Sequence, residues 1–278
     1  MTIQNQAMLV NLTIHQWTAR KHDRKATREV DQAHGANDAG RYNKLLVDKE
    51  ALKPVQSCAA ALRELHYTLT LPWGDNGDRV LPSVLFEDYT TQIRNAREKY
   101  MNVVRDFVSE YPNLVQAARK RLGTLYEPSD YPAASQIEDR FGAKVGFSPI
   151  AAAEDFRVDV GAENVAEIRA EISREAEARL KEATAACWLR VREVVERYAL
   201  RMSDEKGRVY DSMVDNARDL VKLLPALNLT NDPELTRVAQ EIELRLLPTT
   251  IGQLRSSATA RQKVAEAAND IMANFKWG

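Results

Sequence analysis

A long run of apolar residues at helical spacing is the feature that most constrains the fold of this chain. Between residues 165 and 198 an apolar residue recurs every three or four positions, with a mean step of about 3.67 residues. The positions are Val165, Ile168, Ile172, Ala176, Leu180, Ala183, Cys187, Val191, Val194 and Tyr198. This spacing matches an eleven-residue repeat and predicts one long, nearly straight helix that packs along a partner. Further helices are predicted at 204–224, 233–246 and 253–275, with Thr230, Asn231 or Asp232 as the cap of the second.

The first 160 residues also contain strand signals. Residues 8–18 alternate partly with period two, which predicts a strand. Residues 67–71 and 80–85 are β-prone and flank an Asp-Asn-Gly-Asp turn, which predicts a hairpin with Pro72 and Pro82 at an edge or at the open end. Two more short strands are predicted at 143–150 and 155–160.

Helices are predicted between these strands. Residues 45–65 form one helix interrupted by Pro54, and residues 86–110 form another with a 3.5-residue seam of apolar positions. That seam consists of Tyr89, Ile93, Ala96, Tyr100, Val103 and Phe107. Tyr111-Pro112 is expected to end the helix, because the residue before proline disfavours the α region. A shorter helix at 113–122 then ends at Gly123.

The expected fold class is therefore α+β and predominantly helical. A small sheet with a central hairpin and a long packing helix is followed by an all-helical C-terminal part. We expect two domains, at residues 1–160 and 161–278, since 278 residues exceed the size of a typical single domain.

Composition bounds the function. A formal net charge of -1 excludes a uniformly basic nucleic-acid binder but not a local basic face. The two cysteines, Cys58 and Cys187, are far apart and indicate neither a disulfide framework nor a zinc site. The N-terminus lacks a basic region with an apolar core, and no apolar run is long enough to cross a bilayer. We therefore expect a cytosolic protein that is neither secreted nor transmembrane.

Enzyme chemistry finds little support in the residues. No phosphate-binding loop, dinucleotide fingerprint, zinc-protease motif or nucleophile elbow is present. The spacings of His15, His22 and His34 match no zinc pattern, and Cys187 on the apolar stripe is read as a buried structural thiol. Carboxylates that would suit a Mg²⁺-dependent nuclease are Asp75, Asp78, Glu87, Asp88, Glu154, Asp155 and Asp159. Turn chemistry and helix N-termini explain most of them, so we predict no catalytic residues, metal or cofactor.

Cationic and aromatic residues close to the predicted strands form the remaining candidate site. Single-stranded nucleic acid is held by this combination, because cations contact phosphates and rings stack on bases. The candidate nucleic-acid-binding residues are Trp17, Arg20, Lys21, Arg24, Lys25, Arg28, Trp73, Arg79, Arg119, Lys120 and Arg121. The alternative interpretation is that each charge run is a solvated face and each tryptophan a core residue.

Four loop and turn segments resemble those of a tailed-phage and prophage protein family of unknown function. The segments are LTLPWGDNGDRVLP, RLGTLYEPSDYP, FSPIAAAEDFRVDV and LPALNLTNDPEL, and the resemblance extends over nearly the whole chain in order. The resemblance implies a phage or prophage origin and a location in the host cytoplasm. It implies no catalytic residues.

The order of predicted elements is similar to that of another class of proteins. A leading strand, a hairpin and a long packing helix resemble the core of phage single-strand annealing recombinases of the Red beta, RecT and Rad52-like kind. The resemblance implies a non-enzymatic homo-oligomer that lays DNA along a basic groove beside the hairpin.

The sequence thus favours a non-enzymatic phage protein that binds single-stranded or annealing DNA as a homo-oligomer. Arg20, Lys21, Arg24, Lys25 and Arg79 are expected on phosphates, with Trp17 or Trp73 stacked on bases. The alternative is a structural or protein-binding phage assembly factor, in which other phage or host proteins are the partners. A Mg²⁺-dependent nuclease is the third hypothesis.

Overall fold

The computed structural model describes residues 2–158, 160–204 and 207–277 of the chain. The helices in these residues are α1 (Ile3–Gln6), α2 (Arg24–Ala33), α3 (Lys49–Leu69), α4 (Phe86–Leu122), α5 (Ala134–Ile137), α6 (Ala162–Ser203), α7 (Asp211–Leu227), α8 (Pro233–Arg245), α9 (Ile251–Ser256) and α10 (Ala258–Asn274). The strands are β1 (Ala7–His15), β2 (Arg20–His22), β3 (Asn43–Leu45), β4 (Leu71–Pro72), β5 (Arg79–Pro82) and β6 (Gly142–Ser148). The predicted α+β, predominantly helical fold class is confirmed.

The strands form two separate sheets. The larger has the order β4-β5-β1-β6, and β5 is antiparallel to both β4 and β1. Its edge strand β4 contains Pro72. Proline has no backbone N–H to donate, and an edge strand tolerates this because one of its two sides has no neighbouring strand. The smaller sheet consists of β2 and β3, which are antiparallel with Lys21 opposite Lys44.

The chain forms two compact units that do not follow its linear order. Unit 1 comprises Met1–Asn11, Tyr67–Asp88 and Gly146–Gly278, and unit 2 comprises Leu12–His66 and Tyr89–Val145. Unit 1 therefore joins residues from both sides of the boundary predicted at residue 160.

The core of unit 1 is built on α6. This helix is 42 residues long, as the apolar stripe predicts, and it packs mainly along α10. Ala183, Cys187, Val191 and Tyr198 are completely buried, together with apolar residues of α7 and α8. The first half of the stripe is different, because Val165, Ile168, Ile172 and Ala176 are only half-buried and belong to neither core.

The core of unit 2 lies between α3 and α4. The predicted seam on α4 is largely confirmed, since Tyr89, Ile93, Tyr100 and Phe107 are buried, with Val104 in the place of Val103. Val55 and Ala59 of α3 belong to the same core.

The predicted end of α4 at Tyr111-Pro112 is wrong. The helix continues to Leu122 with Pro112 inside it. Pro112 is exposed, whereas Phe107, Tyr111 and Ala118 on the other face are buried. Burial of that face stabilises the helix by more than the loss of the backbone hydrogen bond at proline destabilises it.

The hairpin is present but shorter than predicted. Residues 67–69 form the last turn of α3, and β4 consists only of Leu71 and Pro72. Arg190 of α6 donates hydrogen bonds to the carbonyls of Tyr67, at 2.7 Å, and of Thr68, at 3.2 Å. These bonds satisfy carbonyls that a helix end leaves without partners, so residues 67–69 are helical despite their strand propensity.

Three further boundaries differ from the sequence prediction. Residues 155–158 and 160 form no strand, and Asp159 lies outside the described residues. Helix α7 begins at Asp211 rather than at 204. The helix predicted at 253–275 is divided at Ser257, whose hydroxyl accepts a hydrogen bond from the amide of Ala260 and caps α10.

Candidate nucleic-acid interface

The basic run at residues 20–28 folds into regular structure within unit 2. Arg20 and Lys21 lie on β2, whereas the other cations lie in the first half of α2. Those cations are Arg24, Lys25 and Arg28. All five basic side chains are exposed. Arg24 and Arg28 are about one turn apart on the side of α2 opposite the buried Ala26, so they form a solvent-facing pair.

Asp23 fixes the start of α2. Its Oδ1 atom accepts hydrogen bonds from the backbone amides of Lys25 and Ala26, both at 3.0 Å. Such an N-cap stabilises a helix by about 1 kcal/mol. The other oxygen, Oδ2, lies 3.0 Å from Nζ of Lys44 on β3. One carboxylate therefore connects the helix with the small sheet.

Lys44 is a buried cation on β3, next to the start of α2. Its side chain is 6% exposed, and Nζ lies 2.6 Å from Oδ2 of Asp130 and donates to the carbonyl of Leu125 at 2.9 Å. Burial alone lowers the pKa of Lys44, but the hydrogen bonds with Asp130 and Asp23 outweigh it and raise the pKa above 10.5. The amide of Ala26 and the ammonium of Lys44 lower the pKa of Asp23. Lys44 and Asp23 are thus held in their charged forms near neutral pH.

The C-terminal end of α4 brings the second basic cluster to the same place. Arg119, Lys120 and Arg121 occupy its last turn and are exposed. The guanidinium of Arg121 donates to the carbonyl of Leu45 at 2.6 Å, and Leu45 is the strand partner of Arg20. Cations about 100 residues apart in sequence are therefore neighbours in unit 2.

Charge is divided unequally between the two units. Unit 2 contains 19 Lys and Arg against 14 Asp and Glu, whereas unit 1 contains 20 against 26. The formal charges are +5 and -6, which together give the net charge of -1. Although the whole chain is nearly neutral, unit 2 is therefore basic. Its exposed cations form what we call the basic surface. The basic surface consists of Arg20, Lys21, Arg24, Lys25, Arg28, Arg119, Lys120 and Arg121.

The aromatic side chains of unit 2 differ in accessibility. Trp17 is half-buried, and its ring packs at centroid distances of 6.3 Å from Phe107 and 5.7 Å from Tyr111. Trp17 therefore packs against the unit 2 core. Tyr42, which sequence reasoning missed, is 41% exposed and directly precedes β3. A single tyrosine in a Gly- and Asn-rich loop gave no periodic signal that would have selected it.

Trp73 and Arg79 do not belong to the basic surface. Both lie in unit 1, and Trp73 is only 3% exposed within its core. Arg79 donates to the hydroxyl and the carbonyl of Thr70, at 2.7 and 3.0 Å, and lies over the ring of Tyr67. The expectation that Trp73 stacks on bases is wrong, since its ring is buried in the core. Arg79 is occupied in holding the chain between α3 and β4.

The residues considered for catalysis are scattered. Among the described residues, no three His, Cys, Asp or Glu side chains lie close enough together to hold a metal ion. Asp159, one of the carboxylates considered for a nuclease, lies outside that part of the chain. Cys187 is completely buried, and burial raises the pKa of its thiol to about 11, as expected of a structural cysteine.

None of the described helices is long and apolar enough to span a bilayer. Comparison with known proteins finds no matching family model, no matching curated protein and no matching solved structure. The resemblance to phage proteins therefore stays a prediction.

Proposed function

We propose that this protein binds single-stranded DNA through the basic surface of unit 2 and has no catalytic activity of its own. The observation that carries the proposal is the meeting of two exposed cationic clusters, from β2–α2 and from the end of α4, on the unit with a formal charge of +5. Phosphate contacts by Lys and Arg supply most of the affinity of such binders. Annealing activity, homo-oligomer formation and a role in phage recombination in the host cytoplasm belong to the same proposal.

The side chains that would contact phosphates are available. In the described part of the chain, Arg20, Lys21, Arg24 and Arg28 make no side-chain ion pair, and the pair of Lys25 with Glu29 is exposed and 3.9 Å long. An exposed pair of this kind contributes little and exchanges readily for a phosphate. The buried Lys44, in contrast, is neutralised from within by Asp23 and Asp130. The exposed cations would therefore contact DNA, whereas the buried Lys44 would hold the surrounding elements together.

Fluorescence anisotropy with a labelled single-stranded oligonucleotide, at about 50 and 200 mM salt, tests the proposal. Wild-type binding is expected to weaken steeply with salt. The double variant Arg24→Glu/Arg28→Glu should bind about tenfold or more weakly, with a salt slope smaller by ~1.4, or ~0.7 per lost phosphate contact.

The matched control is Arg197→Glu/Arg201→Glu, an exposed i,i+4 arginine pair on α6 of unit 1. This control should bind as the wild type does. The absence of binding at either salt concentration, binding that ignores salt, or equal losses in both double variants would overturn the proposal.

A structural or assembly role is the second candidate. Leu189 and Leu200 of α6 are 53% and 68% exposed, and eleven residues place them on one helix face. Exposed apolar residues on one face suit contact with another protein. Size-exclusion chromatography with light scattering separates the two roles. An oligomer that ignores DNA and dissociates in Leu189→Glu/Leu200→Glu favours assembly, whereas a mass that changes with DNA favours the first proposal.

The nuclease hypothesis has its own test. Purified protein incubated with single-stranded DNA and Mg²⁺ should leave the DNA intact. Cleavage that disappears when a chelator is added would overturn the proposal that the protein is not an enzyme.

A further inference from the structure

An open cavity of about 230 Å³ lies beside the basic surface, between α2 and the segment that leads into β3. Its lining includes Val30 and Asp31 of α2 and Arg41 and Tyr42 of that segment. Val30 and Tyr42 are 50% and 41% exposed. Neither the basic run nor the packing of the unit 2 core explains why an aliphatic and an aromatic side chain are presented to solvent here.

The wall of the cavity is held in place by hydrogen bonds around Thr27. The amide of Tyr42 donates to Oγ1 of Thr27 at 3.0 Å, and that hydroxyl donates to the carbonyl of Asp23 at 2.7 Å. The amide of Asp23 donates to the carbonyl of Tyr42 at 2.9 Å. Because the backbone of Tyr42 is fixed at both its N–H and its carbonyl, little ordering is needed when a ligand contacts its ring.

The lining combines apolar contacts with charged groups, and Arg41 contributes a cation to it. Tyr42 and Val30 provide an aromatic ring and an aliphatic contact, and the half-buried carboxylate of Asp31 makes no ion pair within the described residues. A flat heterocycle with N–H donors at its edge fits both features, since its faces stack on the ring and its donors reach the carboxylate. Asp31 lies within an arc of about 60° of Arg24 and Arg28 around the axis of α2. A phosphate chain on those arginines therefore passes next to the cavity.

We propose that this cavity receives one unstacked base of a single strand whose phosphates lie on Arg24 and Arg28, and that Asp31 favours bases with an exocyclic amino group. The proposal rests on the proposed DNA binding. It adds a base-recognition site to an interface otherwise defined only by charge. The amino group of cytosine can donate a hydrogen bond to a carboxylate, and thymine has no amino group. We therefore expect the site to prefer cytosine to thymine.

Anisotropy with three labelled strands of equal length tests the base pocket: oligodeoxycytidylate, oligothymidylate and an abasic strand. Wild-type affinity should fall in that order. Tyr42→Ala should weaken oligodeoxycytidylate binding by about tenfold, as expected for one lost stacked base, and leave abasic binding unchanged. Tyr42→Phe keeps the ring and should retain wild-type affinity. Asp31→Asn should bring the cytidylate and thymidylate strands to similar affinity.

The control variant is Tyr210→Ala, an exposed tyrosine of unit 1 that should have no effect. Salt-dependent binding that is equal for the abasic and cytidylate strands, or is unaffected by Tyr42→Ala, overturns the base pocket and leaves the DNA-binding proposal intact. The absence of binding to all three strands overturns both. Cytidine monophosphate that competes as well as the strand does would make the ligand a free nucleotide and overturn the strand-bound base.

Discussion

Nζ of Lys44 lies 2.6 Å from Oδ2 of Asp130, and the two side chains are only 6% and 11% exposed. This contact joins β3 to the segment that follows α4, and Asp23 extends it to the start of α2. The buried ion pair thus connects β3 and the start of α2 with the segment that follows α4. Removing one member of such a group leaves an uncompensated charge in the interior, which is strongly destabilising.

Lys44→Met is expected to lower the free energy of unfolding by about 3–5 kcal/mol, because it leaves Asp23 and Asp130 without their cation. Urea unfolding followed by circular dichroism measures the change. The control is Lys53→Met, since Lys53 pairs with Glu50 on the surface with both side chains more than half exposed. That variant should change stability by less than about 1 kcal/mol. Similar losses in both variants would contradict the supporting role of Lys44.

Acid should weaken the fold through Asp23. Its pKa is lowered from 3.8 in the folded protein, so its stabilising contribution is present above pH 3.8 and is lost as pH falls through the folded value. Urea midpoints measured from about pH 6 down to pH 3 should therefore decline. Asp23→Asn retains an N-cap side chain but loses the charge, and its decline should be shallower. Asp38→Asn, at an exposed loop position, should follow the wild type.

The arginine that caps α3 should be important for stability. Arg190→Leu removes hydrogen bonds to the carbonyls of Tyr67 and Thr68 and should destabilise the protein by about 1.5–3 kcal/mol. Arg192→Leu, an exposed change two residues along α6, should lie within about 0.5 kcal/mol of the wild type. Thermal unfolding compares the two variants. An equal effect would mean that the capping bonds contribute nothing.

Replacing Pro112 should stabilise α4. Pro112→Ala restores a backbone donor four residues after the carbonyl of Val108 and removes a residue that is ~3 kcal/mol unfavourable inside helices. The greater entropy of the unfolded alanine chain offsets ~0.4–1 kcal/mol of this gain. We expect a net gain of about 2–2.6 kcal/mol in urea unfolding. Pro233→Ala, at the first position of α8 where proline is well tolerated, should give no gain.

The parts of the fold that depend on local periodicity could be predicted from the sequence. The stripe from Val165 to Tyr198 predicted α6, and the sequence also predicted a helix with a basic last turn ending before Gly123, although as a separate helix from residue 113. The continuation of α4 through Pro112 could not be predicted, because it depends on the burial of Tyr111 on the opposite face. Local signals thus identify elements, whereas tertiary contacts decide where they end.

The charged residues of the candidate site could be predicted from the sequence, but the buried ion pairs that hold its elements together could not. The charges at residues 20–28 are evident in the sequence, but Lys44 looks like an ordinary surface lysine. Its two carboxylates are 21 and 86 residues away along the chain, so no spacing rule connects them. Trp73 was misassigned for a related reason. Its turn-forming neighbours suggest exposure, whereas long-range packing in unit 1 buries its ring.

The double role of Asp23 has a consequence for how this region opens. The same carboxylate holds the first amides of α2 and neutralises Lys44 on β3, so neither element can separate without disturbing the other. Amide hydrogens at the start of α2 and in β3 should therefore exchange with solvent in a single opening event, with closely similar protection factors. The surface that would meet DNA would then open and close as one cooperative segment.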